Sequence, residues 1–197
     1  LAAMRRGIAF LFSHPILRWI VAAFVMLAIF ARPYTQLLPA YIVNLLHGGA
    51  QALGWAVAAV GIGAFGGALL TAALAGREPR SVLWLVSGVL TACGLIALAL
   101  NHSVLWALPA LFALGVGTLA FLGATNTLIQ TLSPDHVRGR AIAVYTMVAI
   151  GVVPLGTFVI GGIASVIGLH AAFGLAGAIS FVCVVGAYAF KPIVRTV

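Results

Sequence analysis

Formal charge along this chain is confined to short islands, and long apolar runs separate them. Residues 33–76, 81–134 and 141–190 contain no Lys, Arg, Asp or Glu. One bilayer crossing takes about 20 residues, so each run is long enough for two. Each run is also interrupted near its middle by a polar break: LLHGGAQ (45–51), LNHSV (100–104) and GLHAA (168–172). The pattern predicts six transmembrane helices joined as three hairpins within one membrane domain, 1–197. The expected spans are 16–44, 52–75, 81–100, 104–131, 141–165 and 169–190. Helices follow because hydrocarbon cannot satisfy free backbone N–H and C=O groups, and the runs far exceed barrel strands of about 10 residues. The expected fold class is all-α integral membrane.

Nine of the ten basic residues fall at one end of these hairpins, namely Arg5, Arg6, Arg18, Arg77, Arg80, Arg138, Arg140, Lys191 and Arg195. The polar breaks, marked by His47, His102 and His170, fall at the other. The positive-inside rule assigns the basic end, and with it both termini, to the cytoplasm. Residues 1–15 read as a cytoplasmic amphipathic lead-in, because positions 4–14 alternate basic and apolar character. Residues 191–197 read as a cytoplasmic tail. Pro15 suits the start of the first span, where its missing N–H is harmless. Pro33 and Pro39 predict a kink or local unwinding in that span's outer half.

Composition narrows the function classes. With 64% hydrophobic and 6% charged residues, the chain falls far from the quarter charged of a soluble domain. The net charge of +8 is scattered in ones and twos, with no basic face or interleaved aromatics, so nucleic acid is not an expected partner. Cys93 and Cys183 sit singly within apolar runs and show neither metal-ligand spacing nor a disulfide framework. No metal and no cofactor are expected. No small-residue cleavage site follows the N-terminal basic residues, and a start at Leu1 points to a fragment.

Few side chains carry candidate chemistry. Arg32 is the one formal charge away from the ends of a span, Arg18 lying at the basic end of the first. An arginine at the depth of Arg32 costs several kcal/mol, roughly 2.5 by insertion scales, unless it faces protein or water. Gln36 shares its face one turn on, with Tyr34 and Tyr41 nearby in sequence. Two readings stay open: a substrate- or anion-facing cation, or a structural arginine that bonds carbonyls freed by Pro33 and Pro39 or snorkels outward. Asn126 and Gln130 lie one turn apart on the fourth span, with Thr125 and Thr127 beside them. Their amides suit hydrogen bonding to a substrate or between helices, the latter worth about 0.6–2 kcal/mol. Gly63 and Gly67 have the four-residue spacing that admits close helix approach. Gly161 and Gly162 are the corresponding packing candidates in the fifth span, and the two glycine-rich helices are candidates for a sliding contact with a further domain. Both acids, Glu78 and Asp135, lie between spans, so no span carries a carboxylate for a proton relay. No span offers a nucleophile–base pair either, and an enzyme is not expected. In the island LSPDHVRGRA (132–141), Ser133 is the expected N-cap of the fifth span, Pro134 its first residue and Asp135 a dipole partner.

Several stretches in order, FLFSHPILRWI, RPYTQLLPAYIVNLLHGGAQALGWAVAAVGIGAFGGALL, ATNTLIQTLSPDHVRGRAIAVYTM and GVVPLGTFVIGGIA, resemble the C-terminal half of major facilitator superfamily transporters. The likeness is to the bacterial exporter branch that includes siderophore and drug efflux permeases. Two departures stand out: Ala73 and Leu74 replace the expected Asp and Arg of a loop signature, and Val153 precedes Pro154 where an antiporter signature has glycine. The resemblance implies two inverted three-helix repeats and a missing N-terminal six-helix half. It also implies a small-molecule substrate bound between the halves and a place in the bacterial cytoplasmic membrane. It sets the first and fourth spans along the cavity, making Arg32, Tyr34, Gln36, Asn126 and Gln130 substrate-pathway candidates. Asp135, Arg138 and Arg140 become candidates for a cytoplasmic latch between halves. The implied function is one half of a secondary active transporter, an exporter of small amphipathic molecules by alternating access. The alternative is a non-transporting polytopic subunit that binds a partner through its helices.

Overall fold

The computed structural model describes residues 9–74 and 80–189, with the side chain of Arg80 excepted. Expectations resting on Arg5, Arg6, Arg77, Glu78, Lys191 and Arg195 lie outside the described residues. So do those on the lead-in before residue 9 and on the tail 191–197. The first span, Leu17–Leu45, is built of α1 (Leu17–Phe30), α2 (Tyr34–Pro39) and a π-helical turn (Ala40–Leu45). It is followed by α3 (Ala50–Leu74), α4 (Arg80–Leu100), α5 (Val104–Leu132), α6 (Asp135–Ile167) and α7 (Leu169–Ala189). The described residues contain helices and no strand, and six of the spans are long and apolar enough to cross a bilayer. This is an all-α integral membrane protein.

The start of α1 is set by His14 and Pro15. The Nδ1 atom of His14 accepts hydrogen bonds from the Ile16 and Leu17 N–H groups, both at 3.3 Å. These are two of the donors that a helix N-terminus leaves without partners. Pro15, immediately before the N-cap Ile16, brings no N–H of its own to this end. Burial holds the His14 pKa below its usual 6.5, in keeping with a ring nitrogen that must stay unprotonated to accept.

The two prolines of the first span break it in different ways. Before Pro33 the ladder loosens, with the Arg32 N–H reaching back five residues to the Leu27 carbonyl at 3.2 Å. After Pro39 the helix widens into the π turn and ends with the Leu46 N–H on the Tyr41 carbonyl at 3.0 Å. Proline removes the i→i−4 bond, and its ring crowds the carbonyl that would have received it.

Two expectations about the fifth span are corrected. Its helix begins at Asp135 instead of Pro134, and its N-cap is Pro134 instead of Ser133. The Pro134 carbonyl takes the first helical bonds, from the Val137 and Arg138 N–H groups, each at 3.0 Å. Ser133 is the C-cap of α5 (φ −97°, ψ 125°), as the residue before a proline is pushed out of helical geometry. Pro134, itself non-helical (φ −58°, ψ 150°), separates Ser133 from the start of α6. The Ser133 hydroxyl is buried without a hydrogen-bond partner among the described residues.

Packing centres on α5, which makes its most extensive contacts with α3 and α4, while α4 also lies along α7. Glycines make these approaches possible. A Cβ at Gly63 or Gly67 would overlap the Phe112 or Val116 carbonyl of α5, and one at Gly115 would overlap the Val60 carbonyl of α3. On another side of α5, a Cβ at Gly117 would lie 2.8 Å from the Thr91 nitrogen of α4. Lipid tails are as apolar as leucine, so close van der Waals contact, not burial from water, holds such helices together. The Trp84 indole N–H adds a buried bond to Thr125 Oγ1 across α4 and α5 at 3.0 Å.

Gly115→Ala is expected to destabilise the protein by about 1–3 kcal/mol through overpacking. Gly61→Ala, at a site with nothing within 4 Å, is expected to be neutral or mildly stabilising. Thermal unfolding in detergent compares the two. A second expectation concerns pH. Because the folded state favours neutral His14, its contribution is complete above pH 6.5 and fades as pH falls through the lower folded value. His14→Ala is expected to lose about 1 kcal/mol at neutral pH and to flatten this acid-side decline in a pH series of melting curves.

Candidate functional site

Arg32 sits in the turn between α1 and α2, half-buried. Its Nη1 donates to the Ala149 carbonyl of α6 at 2.6 Å. This corrects the structural reading that tied it to carbonyls freed by Pro33 and Pro39: the partner is 117 residues away. The link exists because α1 and α6 run close together. A Cβ at Gly156 would overlap the Ile29 carbonyl and meet Pro33, and the rings of Phe24 and Tyr145 lie 4.8 Å apart. The guanidinium is within electrostatic reach of the Tyr34 and Tyr145 hydroxyls. No carboxylate accompanies it: the one acid among the described residues, Asp135, is the first residue of α6, next to the α5–α6 turn. A carbonyl dipole therefore stands where a counter-ion would be expected.

Tyr145 joins this cation to a groove. Its hydroxyl donates to the Leu122 carbonyl of α5 at 2.8 Å, and it lines a groove of about 500 Å³ with Thr71, Ala72, Gly123, Asn126 and Thr127. The groove lies where α3, α5 and α6 meet, open on one side and mixed in polarity. Of the five pathway candidates, Asn126 lines it, and the Gln130 side-chain amide donates to Asn126 Oδ1. The two amides thus bond along their own helix and, among the described residues, bridge to no other. Arg32 reaches the groove only through Tyr145. Gln36 is exposed one turn beyond Arg32, with no contact to the amide pair among those described. Tyr34 is 2% exposed and backs the arginine from inside the bundle. Sequence reasoning missed Tyr145 and Thr71. Their only signal is a polar group on the helix facing Asn126, which becomes visible once the helices are placed.

The turn between α5 and α6 is closed on itself. Arg138 Nη1 lies 2.7 Å from Asp135 Oδ1, and its Nε donates to the Gln130 carbonyl at 3.0 Å. That carbonyl is among the last four of α5, which lack intrahelical donors, so a cation there is well placed. The ion pair itself is exposed and worth about 0–1 kcal/mol. Two of the three latch candidates therefore engage each other, and Arg140 is half-buried beside them. Asp135 and His136 point apart as neighbours on a helix and form no dyad.

The glycine candidates separate. Gly63 and Gly67 are occupied by α5 inside this domain, so they are not available to a further one. Gly162 meets nothing within 4 Å, and Gly161, equally open, borders a groove of about 360 Å³ with Asn44 and Ser165. The close approach through Gly115 was not anticipated from sequence, whereas Gly156 was one of the fifth-span glycines, with Gly151, expected to pack.

A six-helix membrane domain with one cationic turn and an amide-lined groove is the class of structure that polytopic carriers are made of. Residues 1–195 match the family described as transmembrane secretion effector, MFS_3, and the chain belongs to that family of the major facilitator superfamily. It is similar to the multidrug efflux pump Tap of Mycobacterium tuberculosis (strain ATCC 25618 / H37Rv), at 33% identity over 186 residues, 92% of this chain and 43% of the relative. The Tap pump of Mycobacterium bovis (strain BCG / Pasteur 1173P2) gives the same values. The Tap pump of Mycolicibacterium fortuitum is 28% identical over 176 residues, 88% of this chain and 42% of the relative. The chain spans under half the length of these relatives.

Tyr145→Phe is expected to lower stability by about 0.6–2 kcal/mol, the range of interhelical hydrogen bonds in membranes. Denaturation in mixed micelles, read by tryptophan fluorescence, measures it.

Proposed function

We propose that this domain is the C-terminal half of a secondary active exporter of small amphipathic molecules in the bacterial cytoplasmic membrane, with both termini cytoplasmic. The observation that carries the reading is Arg32: a charged group at membrane depth, half-exposed, with no carboxylate beside it among the described residues and with Tyr145 between it and a groove. Ionisable groups at that depth mark substrate or ion paths by default. The similarity to multidrug efflux pumps supports export as the direction. Alternating access follows as rocking of this half against an N-terminal six-helix half.

In this mechanism Arg32 attracts the polar or anionic part of a substrate, and Gln36, Asn126 and Gln130 supply hydrogen bonds along the pathway. Tyr34 and Tyr145 hold the guanidinium in place. The bond from Arg32 to Ala149 ties the charged site to α6, so movement of α6 is transmitted to it. At the basic end, Arg138 and Arg140 are the residues proposed to meet the other half. Asp135, the one acid among the described residues, sits in the first turn of α6 beside Arg138 and not at membrane depth, so a proton carrier would belong to the N-terminal half.

In the complete protein reconstituted into proteoliposomes, Arg32→Gln and Asn126→Ala are expected to reduce efflux of a fluorescent dye about tenfold or more while inserting at normal levels, the size of effect that loss of about 1.4 kcal/mol of transition-state binding gives. Normal efflux by both variants removes these residues from the pathway. Loss of membrane insertion by Arg32→Gln, with rescue by Arg32→Lys, assigns Arg32 to structure.

A further inference from the structure

Two histidines that the transport reading does not use meet at the end of the bundle away from the Arg138 turn. His102 is in the connection between α4 and α5, and His170 is in the first turn of α7. Their ring centroids are 4.7 Å apart, with planes inclined at 73°. They come from different hairpins, so the fold alone makes the pair.

His170 is held in a particular way. Its Nε2 lies 2.8 Å from the Asn101 carbonyl oxygen. A carbonyl cannot donate, so this nitrogen carries the hydrogen, and the lone pair of the neutral ring is on Nδ1. A histidine that ligates a metal is oriented in the same manner, with one ring nitrogen donating to a backbone carbonyl and the other facing the ion. The support is rigid. The Asn101 side-chain amide donates to the Ser103 carbonyl at 2.8 Å and to the Tyr41 hydroxyl at 3.2 Å. The Tyr41 hydroxyl donates in turn to the Leu98 carbonyl at 2.8 Å, and the fully buried Tyr41 ring packs edge-on against His170 at 5.8 Å. His102, by contrast, is exposed, and its ring has room to turn.

We propose that His102 and His170 form a binding site for a divalent late transition metal, Zn²⁺, Ni²⁺ or Cu²⁺. Two imidazole nitrogens each about 2.0–2.1 Å from a tetrahedral ion place the ring centres about 5 Å apart, close to the spacing here. Imidazole ligands favour these ions over Mg²⁺ and Ca²⁺, which take oxygen. No group of three or more His, Cys, Asp or Glu able to hold a metal occurs among the described residues. Water completes the shell, and the ion is exchangeable. Bound there, it staples the α4–α5 connection to the start of α7 and reinforces the α4–α7 contact. The proposal does not depend on the transport reading.

The test is calorimetric titration of the complete protein in detergent with Zn²⁺, alongside Mg²⁺, with melting curves in each. One Zn²⁺ site is expected to be lost or weakened on the order of tenfold or more in both His102→Gln and His170→Gln, with His136→Gln unchanged and Mg²⁺ silent. His170→Gln retains an N–H for the Asn101 carbonyl, and His102→Gln alters an exposed ring, so both variants are expected to melt like the parent without metal. Unchanged Zn²⁺ binding in the two variants, or no Zn²⁺ binding by the parent, overturns the site and leaves the ring contact as packing alone.

Discussion

The structure depends on how closely α5 can approach its neighbours. In a bilayer no hydrophobic force separates protein from solvent, so helices associate only where their backbones come near enough for dense contact. Gly63 and Gly67 on α3, Gly115 and Gly117 on α5 give that nearness on two sides of one helix. With α3 and α4 fixed on α5, α7 is placed along α4 through Gly177, where a Cβ would lie 2.9 Å from the Ala92 carbonyl. The first span and α6 come together separately at Gly156. The result is a tight group of α3, α4, α5 and α7, with the first span and α6 as the looser pair.

The polar site lies along that looser seam. Arg32 belongs to the first span, its carbonyl partner to α6, and the groove to α3, α5 and α6. A charge costs least at membrane depth where helices part enough to admit water or a ligand, and the proline breaks of the first span put Arg32 there. Arg138 plays a different part, since its hydrogen bond to Gln130 ties the end of the amide face to the turn that follows.

Much of the architecture was legible in the residues. Charge islands and histidine-marked breaks marked out the six apolar helices, because only hydrocarbon-length apolar runs can cross a bilayer; which helices pack on which was not in that pattern. The prolines announced the irregular first span. The Gly63/Gly67 spacing announced a close contact, though not with which helix, since a small-residue stripe is complementary to any other. Ser133 misled because a serine before proline looks like a cap whichever helix owns it. Arg32 was legible as costly at its depth but not as bonded to Ala149, because a backbone carbonyl leaves no mark on a sequence.

By itself, then, the sequence determined that this protein lives in a membrane as a series of apolar helices, with most of its charges at their ends. Hydropathy is a local property, summed along each run. Tertiary structure alone decided which glycines meet which carbonyls, what Arg32 holds, and that His102 and His170 share one corner. Those are relations between residues far apart in the chain, created when the helices pack.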